Sequence, residues 1–248
     1  MLLQNKTAVI TGSNRGIGKA VLETFAENGA DIFACARKES DEFSNVTERL
    51  SEKTGVSITP VYFDLAESEQ VKSGIKSILS SKKQIDILVN NAGVASGSFF
   101  QMTSLKDLKQ VFEINFFSQI LFTQGISRYM TRFKTGSIIN IASTAGLIGD
   151  AGMTSYGSSK AALMFATKTM ATELGEMNIR VNAIAPSITK TDMFDQMEEK
   201  ARSKLINASA LKRPAEAVEV ANVALFLASD LSSYVTGQVL RVDGGLTT

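Results

Sequence analysis

The 248 residues carry 26 Lys plus Arg against 25 Asp plus Glu, a net charge of +1, and 44% are hydrophobic, enough apolar material for a full single-domain core. Acids and bases are interspersed, which excludes the basic footprint of a nucleic-acid binder or of a protein drawn to acidic membranes. With no histidine, one cysteine and no carboxylate cluster at ligand spacing, a metal centre is not expected.

Lys6 to Thr11 reads as a short buried strand that runs into Gly12-Ser13-Asn14-Arg15-Gly16-Ile17-Gly18 and then into an apolar helical pattern. Three glycines there permit a tight turn and close backbone approach, leaving the amides at the helix N-terminus to hold a pyrophosphate. The spacing departs from G-x-G-x-x-G, and taken alone the triplet is equally a plain turn with close helix packing. The run 31–36 contains Cys35, read as a buried strand residue, and ends at Ala36, where NAD sites carry an acid for the ribose hydroxyls. Arg37 and Lys38 follow, and with Arg15 they offer basic groups to a 2′-phosphate, which favours NADP. Glu39 and Asp41 leave open a plain solvated loop.

Apolar runs continue at 58–63, 85–89, 137–142, 179–184 and 238–242, separated mostly by amphipathic stretches. The alternation predicts one α/β domain over residues 1–248, a doubly wound seven-stranded parallel Rossmann sheet with helices on both faces. Ligands bind beyond the strand carboxyl ends of such a sheet, where Gly12, Arg37, Asp64, the run Asn90-Asn91-Ala92-Gly93, Ser143 and Pro186 fall. The polar, Met-rich stretch 187–213 is expected to be a substrate lid, with a surface excursion of no function as the alternative.

Tyr156 and Lys160 are four residues apart, so on a helix the phenol and the ammonium are neighbours on one face. A cation favours the phenolate and draws a tyrosine down from its usual pKa near ~10, which suits general acid/base work in a chain that lacks histidine. By itself such a pair is also what many solvated helix faces carry. Ser143 lies thirteen residues before Tyr156, with a strand-end hydroxyl capping its own backbone as its plainer reading.

The motifs taken together resemble the short-chain dehydrogenase/reductase family, in the group of 3-oxoacyl-[acyl-carrier-protein] reductases. Thr11-Gly12 with Gly16-Ile17-Gly18 matches T-G-x-x-x-G-x-G, Asn90 to Gly93 matches N-N-A-G, and Tyr156 with Lys160 matches Y-x-x-x-K. Ser143 and Asn115 complete the family's tetrad, and Val235-Thr236-Gly237-Gln238 with Val242-Asp243-Gly244-Gly245 resembles its closing turn, strand and tail. The chain departs at Pro186-Ser187, where the family usually has Pro-Gly.

The resemblance implies NADPH-dependent reduction of a ketone or 3-oxoacyl thioester to a secondary alcohol. Tyr156 would donate the proton, Ser143 would hold the carbonyl oxygen, Lys160 would bind the nicotinamide ribose and lower the Tyr156 pKa, and Asn115 would hold a water linking Lys160 to solvent. For the cofactor it implies contacts from Gly12, Ser13, Asn14, Arg15, Gly16, Ile17 and Gly18, from Arg37, and from Asp64 and Leu65 at the adenine. Asn91, Ala92 and Gly93 would line the adenosine ribose, Pro186, Ile188 and Thr191 the carboxamide end, and Asn90 would stiffen the sheet. Arg132 and Lys134 are candidates to meet an acidic carrier protein. The alternatives are an NAD(P)-dependent alcohol or sugar dehydrogenase and a catalytically silent nucleotide sensor. A homotetramer built on the helices near 105–133 and 153–178 is expected, and a cytoplasmic protein with neither nucleic-acid nor membrane partners.

Overall fold

The computed structural model describes residues 1–247. Its strands are β1 (Thr7–Thr11), β2 (Asp31–Ala36), β3 (Ile58–Tyr62), β4 (Ile87–Asn90), β5 (Gly136–Ile141), β6 (Ile179–Pro186) and β7 (Val239–Val242). They form one seven-stranded sheet in the order β3-β2-β1-β4-β5-β6-β7, every pairing parallel. The fourth strand begins at Ile87 rather than Ile85, because Asp86 is turned to its neighbour: its carboxylate accepts from the Thr7 amide at 2.8 Å.

Strand side chains alternate between two cores. Ala8 and Ile10 enter one, with α1 (Gly16–Glu27), α2 (Asp41–Thr54) and α9 (Ala217–Ala228). Val9 enters the other, with α3 (Ser68–Ser80), α5 (Ser118–Met130) and α6 (Thr154–Leu174). Both faces are therefore dry, which is why the central strands carry consecutive apolar residues, such as Ala8-Val9-Ile10 and Ile87-Leu88-Val89, rather than a strict alternation. Phe63 and Phe122 stack at 5.2 Å between ring centres in the second core, and each fully buried side chain of that size contributes about 1.5–3 kcal/mol.

Local signals close the helices. Ser40 accepts from the Phe43 amide at the start of α2, and Gly55, at φ 75°, ends it in the left-handed conformation. The expected single helix from 105 is α4 (Leu105–Phe112), a π turn (Glu113–Phe117) and α5, without a break in direction. The extra residue of that turn is what tertiary contacts select, since it places Asn115 fully buried against the tail of β4. The segment 187–213 holds two short helices, α7 (Asp192–Asp195) and α8 (Glu199–Ala208). Among the described residues no helix is long and apolar enough to cross a membrane.

The chain runs from β1 outward to β2 and β3, then returns to place β4 on the other side of β1. The connections after β1 and β4 diverge to opposite sheet faces, opening a crevice above these two strands. A buried polar chain stiffens the floor of that crevice. Asn90 Nδ2 donates to Thr123 Oγ1 at 2.7 Å and to Asn140 Oδ1 at 2.8 Å, and Asn140 Nδ2 donates to Thr167 Oγ1 at 2.8 Å. This is the sheet-stiffening place expected of Asn90. Asn140→Ala takes one of two acceptors from the Asn90 amide and the donor that faces Thr167 Oγ1, leaves a small cavity, and is expected to lower stability by about 1–3 kcal/mol in urea unfolding.

Candidate active site

The glycine turn is built by exclusion of side chains. A methyl group on Gly18 would lie 2.0 Å from the Gly12 carbonyl oxygen and 2.4 Å from Asn91 Nδ2, so the start of α1 sits directly on the turn and on the end of β4. Gly12 itself is at φ +65°, where a methyl group would be strained and 2.9 Å from Ala92 Cα. Asn91 donates from Nδ2 to the carbonyls of Thr11 and Gly12, at 3.0 and 3.1 Å. Arg15 caps α1 with extended backbone and no side-chain capping bond, so its side chain does not cap the first amides of α1.

Other cofactor candidates divide into those open to the crevice and those committed elsewhere. Asn14, Arg37 and Lys38 are exposed, and among the described residues neither Arg37 nor Lys38 forms an ion pair. Ile17 is half-buried beside them. Ser13 is different: buried, its hydroxyl donates to the Cys35 carbonyl at 3.0 Å, which pins the turn to β2. Arg15 does not stand free with Arg37 and Lys38, because it pairs with Asp192 at 3.0 Å. Asp64 accepts from the Ala66 amide at 2.9 Å through one oxygen, and buried Leu65 accepts from Ser118 at 2.5 Å through its carbonyl. Pro186 and Ile188 are buried at the end of β6, followed by half-buried Thr191. Ser187 does not adopt a left-handed backbone, so replacing the usual glycine costs no strain there.

Behind this crevice the four tetrad candidates converge. The turn Thr144–Gly146 after β5 packs on the first turns of α6 through two further glycines that sequence reasoning did not single out. A methyl group on Gly157 would be 2.4 Å from the Ala145 oxygen, and one on Gly146 would be 2.6 Å from the Ala161 amide nitrogen. That contact seats Ser143 against Tyr156. Ser143 Oγ accepts from the Ala145 amide at 3.1 Å, so the plain cap reading is correct for its lone pair and leaves the hydroxyl proton free to donate.

Lys160 is almost fully buried, donates to the Ile141 carbonyl at 2.8 Å and lies 5.9 Å from the centre of the Tyr156 ring. Asn115 Oδ1 accepts from the Val94 amide at 2.8 Å, while Nδ2 donates to the Val94 carbonyl at 2.8 Å and to Ser159 Oγ at 3.1 Å. Gly93 joins the groups: a methyl group on it would lie 3.1 Å from Asn115 Oδ1 and 3.4 Å from Lys160 Nζ. Of the partners of Asn115, Ser159 carried no sequence signal of its own.

The electrostatics correct one expectation. Burial pushes the Tyr156 phenol up from its ordinary pKa, against a smaller lowering from hydrogen bonding with Ser143, rather than a nearby cation pulling it down. Lys160 spends its ammonium on a main-chain carbonyl, and burial lowers its own pKa from 10.5 to about 8. The site as it stands holds a neutral phenol, a serine hydroxyl hydrogen-bonded to it and an amine of lowered pKa, a set able to donate to an oxygen placed among them.

Two loops and the segment after β6 wall the crevice. Ser98 donates from its amide to the Gly152 carbonyl at 3.0 Å, and Lys204 of α8 pairs with Asp150 at 2.9 Å. Arg132 and Lys134 precede β5 and so lie at the amino end of the sheet, opposite the crevice of their own chain.

Residues 11–247 match the family model described as Enoyl-(Acyl carrier protein) reductase. The chain is 38% identical to the 3-oxoacyl-[acyl-carrier-protein] reductase of Thermotoga maritima over 248 residues, 99% of each chain. Among solved structures, a 7α-hydroxysteroid dehydrogenase complexed with NADH and 7-oxo glycochenodeoxycholic acid superposes with a TM-score of 0.93 at 33% identity, covering 99% of this chain and 95% of that one. A Serratia marcescens short-chain dehydrogenase/reductase superposes with a TM-score of 0.93 at 30% identity over 100% of both chains. The glycine turn, the doubly wound sheet and these full-length likenesses place the chain in the short-chain dehydrogenase/reductase family, as an oxidoreductase acting on CH–OH groups.

Proposed function

We propose that the protein reduces a ketone of the 3-oxoacyl thioester type to a secondary alcohol with NADPH, Tyr156 serving as proton donor. The observation that carries this reading is the convergence of Ser143, Tyr156, Lys160 and Asn115 beside Gly93, at the carboxyl end of the sheet. The crevice fits a dinucleotide: α1 is uncapped by side chains, glycines 12 and 18 leave no room for side chains, and Arg37 and Lys38 are free for a 2′-phosphate. Gly12 to Gly18 would hold the pyrophosphate, Asp64 and Leu65 the adenine, Asn91 to Gly93 the ribose, and Pro186, Ile188 and Thr191 the carboxamide end. When bound, the nicotinamide supplies the hydride.

Ser143 turns its hydroxyl proton to the ketone oxygen and stabilises the negative charge that develops there. Tyr156 then hands over its phenolic proton, which an ordinary tyrosine already carries at neutral pH and which burial holds more tightly still. Lys160, released from Ile141, takes the nicotinamide ribose hydroxyls and stabilises the phenolate left behind. Any water held at Asn115 falls to its main-chain carbonyl, because the side chain is spent on Val94 and Ser159. Residues 187–213 act as the substrate lid, and Phe117 and Phe165, 53% and 72% exposed, support assembly as a homotetramer.

A second reading, a bulky alicyclic ketone, is favoured by the hydroxysteroid dehydrogenase likeness and by apolar side chains at the mouth. Phe99, Leu147 and Met193 are exposed there, and Asp150 is already paired with Lys204. Oxidation of an alcohol or sugar is the reverse of the same chemistry.

Three outcomes test the reading. Tyr156→Phe should cut turnover of a short 3-oxoacyl thioester about 10²–10⁴-fold with NADPH binding unchanged; near-normal turnover would sink the mechanism. Arg37→Ala should raise the KM for NADPH about tenfold or more, while leaving that for NADH in place. Because Lys160 must be charged and its pKa in the free enzyme is about 8, kcat/KM for reduction should be level below that pH and fall as pH rises through it. A pH-rate profile that stays flat to pH ~10 would contradict the role given to Lys160.

A further inference from the structure

Arg15 is the one charged residue of the turn 12–18, and its partner is the Asp192 carboxylate, met by a single contact of 3.0 Å from Nη1 to Oδ2. Both side chains are well exposed, at 68% and 55%. Asp192 opens α7 directly after Thr191, whose Cγ2 would lie 3.2 Å from a methyl group on Gly16. The start of the 187–213 segment is thus seated on the turn whose uncapped amides are proposed to hold the pyrophosphate. A carboxylate stands where an anion belongs.

We propose that Asp192 is a positioning residue that competes with the dinucleotide for Arg15, so that cofactor entry and the seating of the 187–213 segment are one exchange. The inference rests on the dinucleotide reading above. A one-point exposed ion pair is weak enough to give way. A phosphate can take the guanidinium bidentately and add the amides of α1, which Asp192 does not reach by hydrogen bond. The carboxylate left beside a bound phosphate then repels it, and α7 is pushed off the turn. The far end of the segment stays tethered, because the main-chain amides of Ala210 and Leu211 donate to the carbonyls of Gly245 and Gly244 at 3.2 and 3.0 Å. Arg15 therefore reports the arrival of phosphate to the segment that roofs the substrate.

The test is the Kd of NADPH, read from nicotinamide fluorescence in this tryptophan-free chain, for the wild type, Asp192→Asn and Asp192→Glu at low and high salt. Asn keeps the shape and removes the charge. Asp192→Asn is expected to bind NADPH about two- to fivefold more tightly at low salt, Asp192→Glu to return to the wild-type value, and the gap to close near ~1 M salt. Equal or weaker binding by Asp192→Asn overturns the competition, and Asp192→Ser decides the matter should the Asn variant fail to fold. A wild type that binds neither NADPH nor NADH would overturn the dinucleotide reading itself, and this inference with it.

Discussion

The turn that leaves β4 is where the two halves of the molecule are fastened. Asn91 is bound to the carbonyls of Thr11 and Gly12, and two residues after it Gly93 lies in contact range of Asn115 and Lys160. Val94 then exchanges hydrogen bonds with Asn115, and Asn115 reaches Ser159 on α6. A continuous polar path therefore runs from the glycine turn after β1 to the helix that carries Tyr156 and Lys160. It is possible only because Gly18 and Gly93 present no side chains: at Gly18 a single methyl group would meet the Gly12 oxygen at 2.0 Å. The π turn at Glu113–Phe117 belongs to the same constraint, since it places Asn115 inward where an unbroken α-helix would be out of step.

Burial of charge is the second organising theme. Lys160 sits among apolar strands and helices with one main-chain carbonyl for a partner, and its ammonium is held at the cost of a pKa near 8. The same low-dielectric surroundings raise the Tyr156 pKa, so one environment favours the neutral form of both groups. At the rim the charges behave differently: Arg15 with Asp192 and Lys204 with Asp150 are exposed pairs, weak and replaceable.

Much of this was legible in the linear chain, for reasons that differ from element to element. β1 and β5 stand out because a strand buried on both faces carries consecutive apolar residues, Ala8-Val9-Ile10 and Ile138-Ile139, and the turn at Gly12 to Gly18 because close approach at Gly12 and Gly18 leaves no alternative to glycine. Asn90 was readable as a sheet-stiffening residue, since a buried amide must find partners. Other features were not legible. Gly146 and Gly157 look like ordinary glycines until the turn after β5 is packed on α6. Along the chain Arg15 reads as one of three bases facing a phosphate and Ser13 as part of the cradle; only the fold adds a carboxylate partner to the first and the Cys35 carbonyl to the second. Arg132 and Lys134 fall at the amino end of the sheet, away from the crevice of their own chain, because the position of a loop relative to strand direction is a property of topology.

The sequence alone determined the architecture and the inventory of reacting groups, because hydrophobic period, glycine placement and motif spacing are local properties written into neighbouring residues. The tertiary structure alone decided protonation and pairing. Whether the Tyr156 pKa rises or falls depends on how deeply α6 is covered, and whether Arg15 is free depends on a segment 177 residues away. Dielectric surroundings and long-range contacts are set by packing, and no spacing along the chain encodes them.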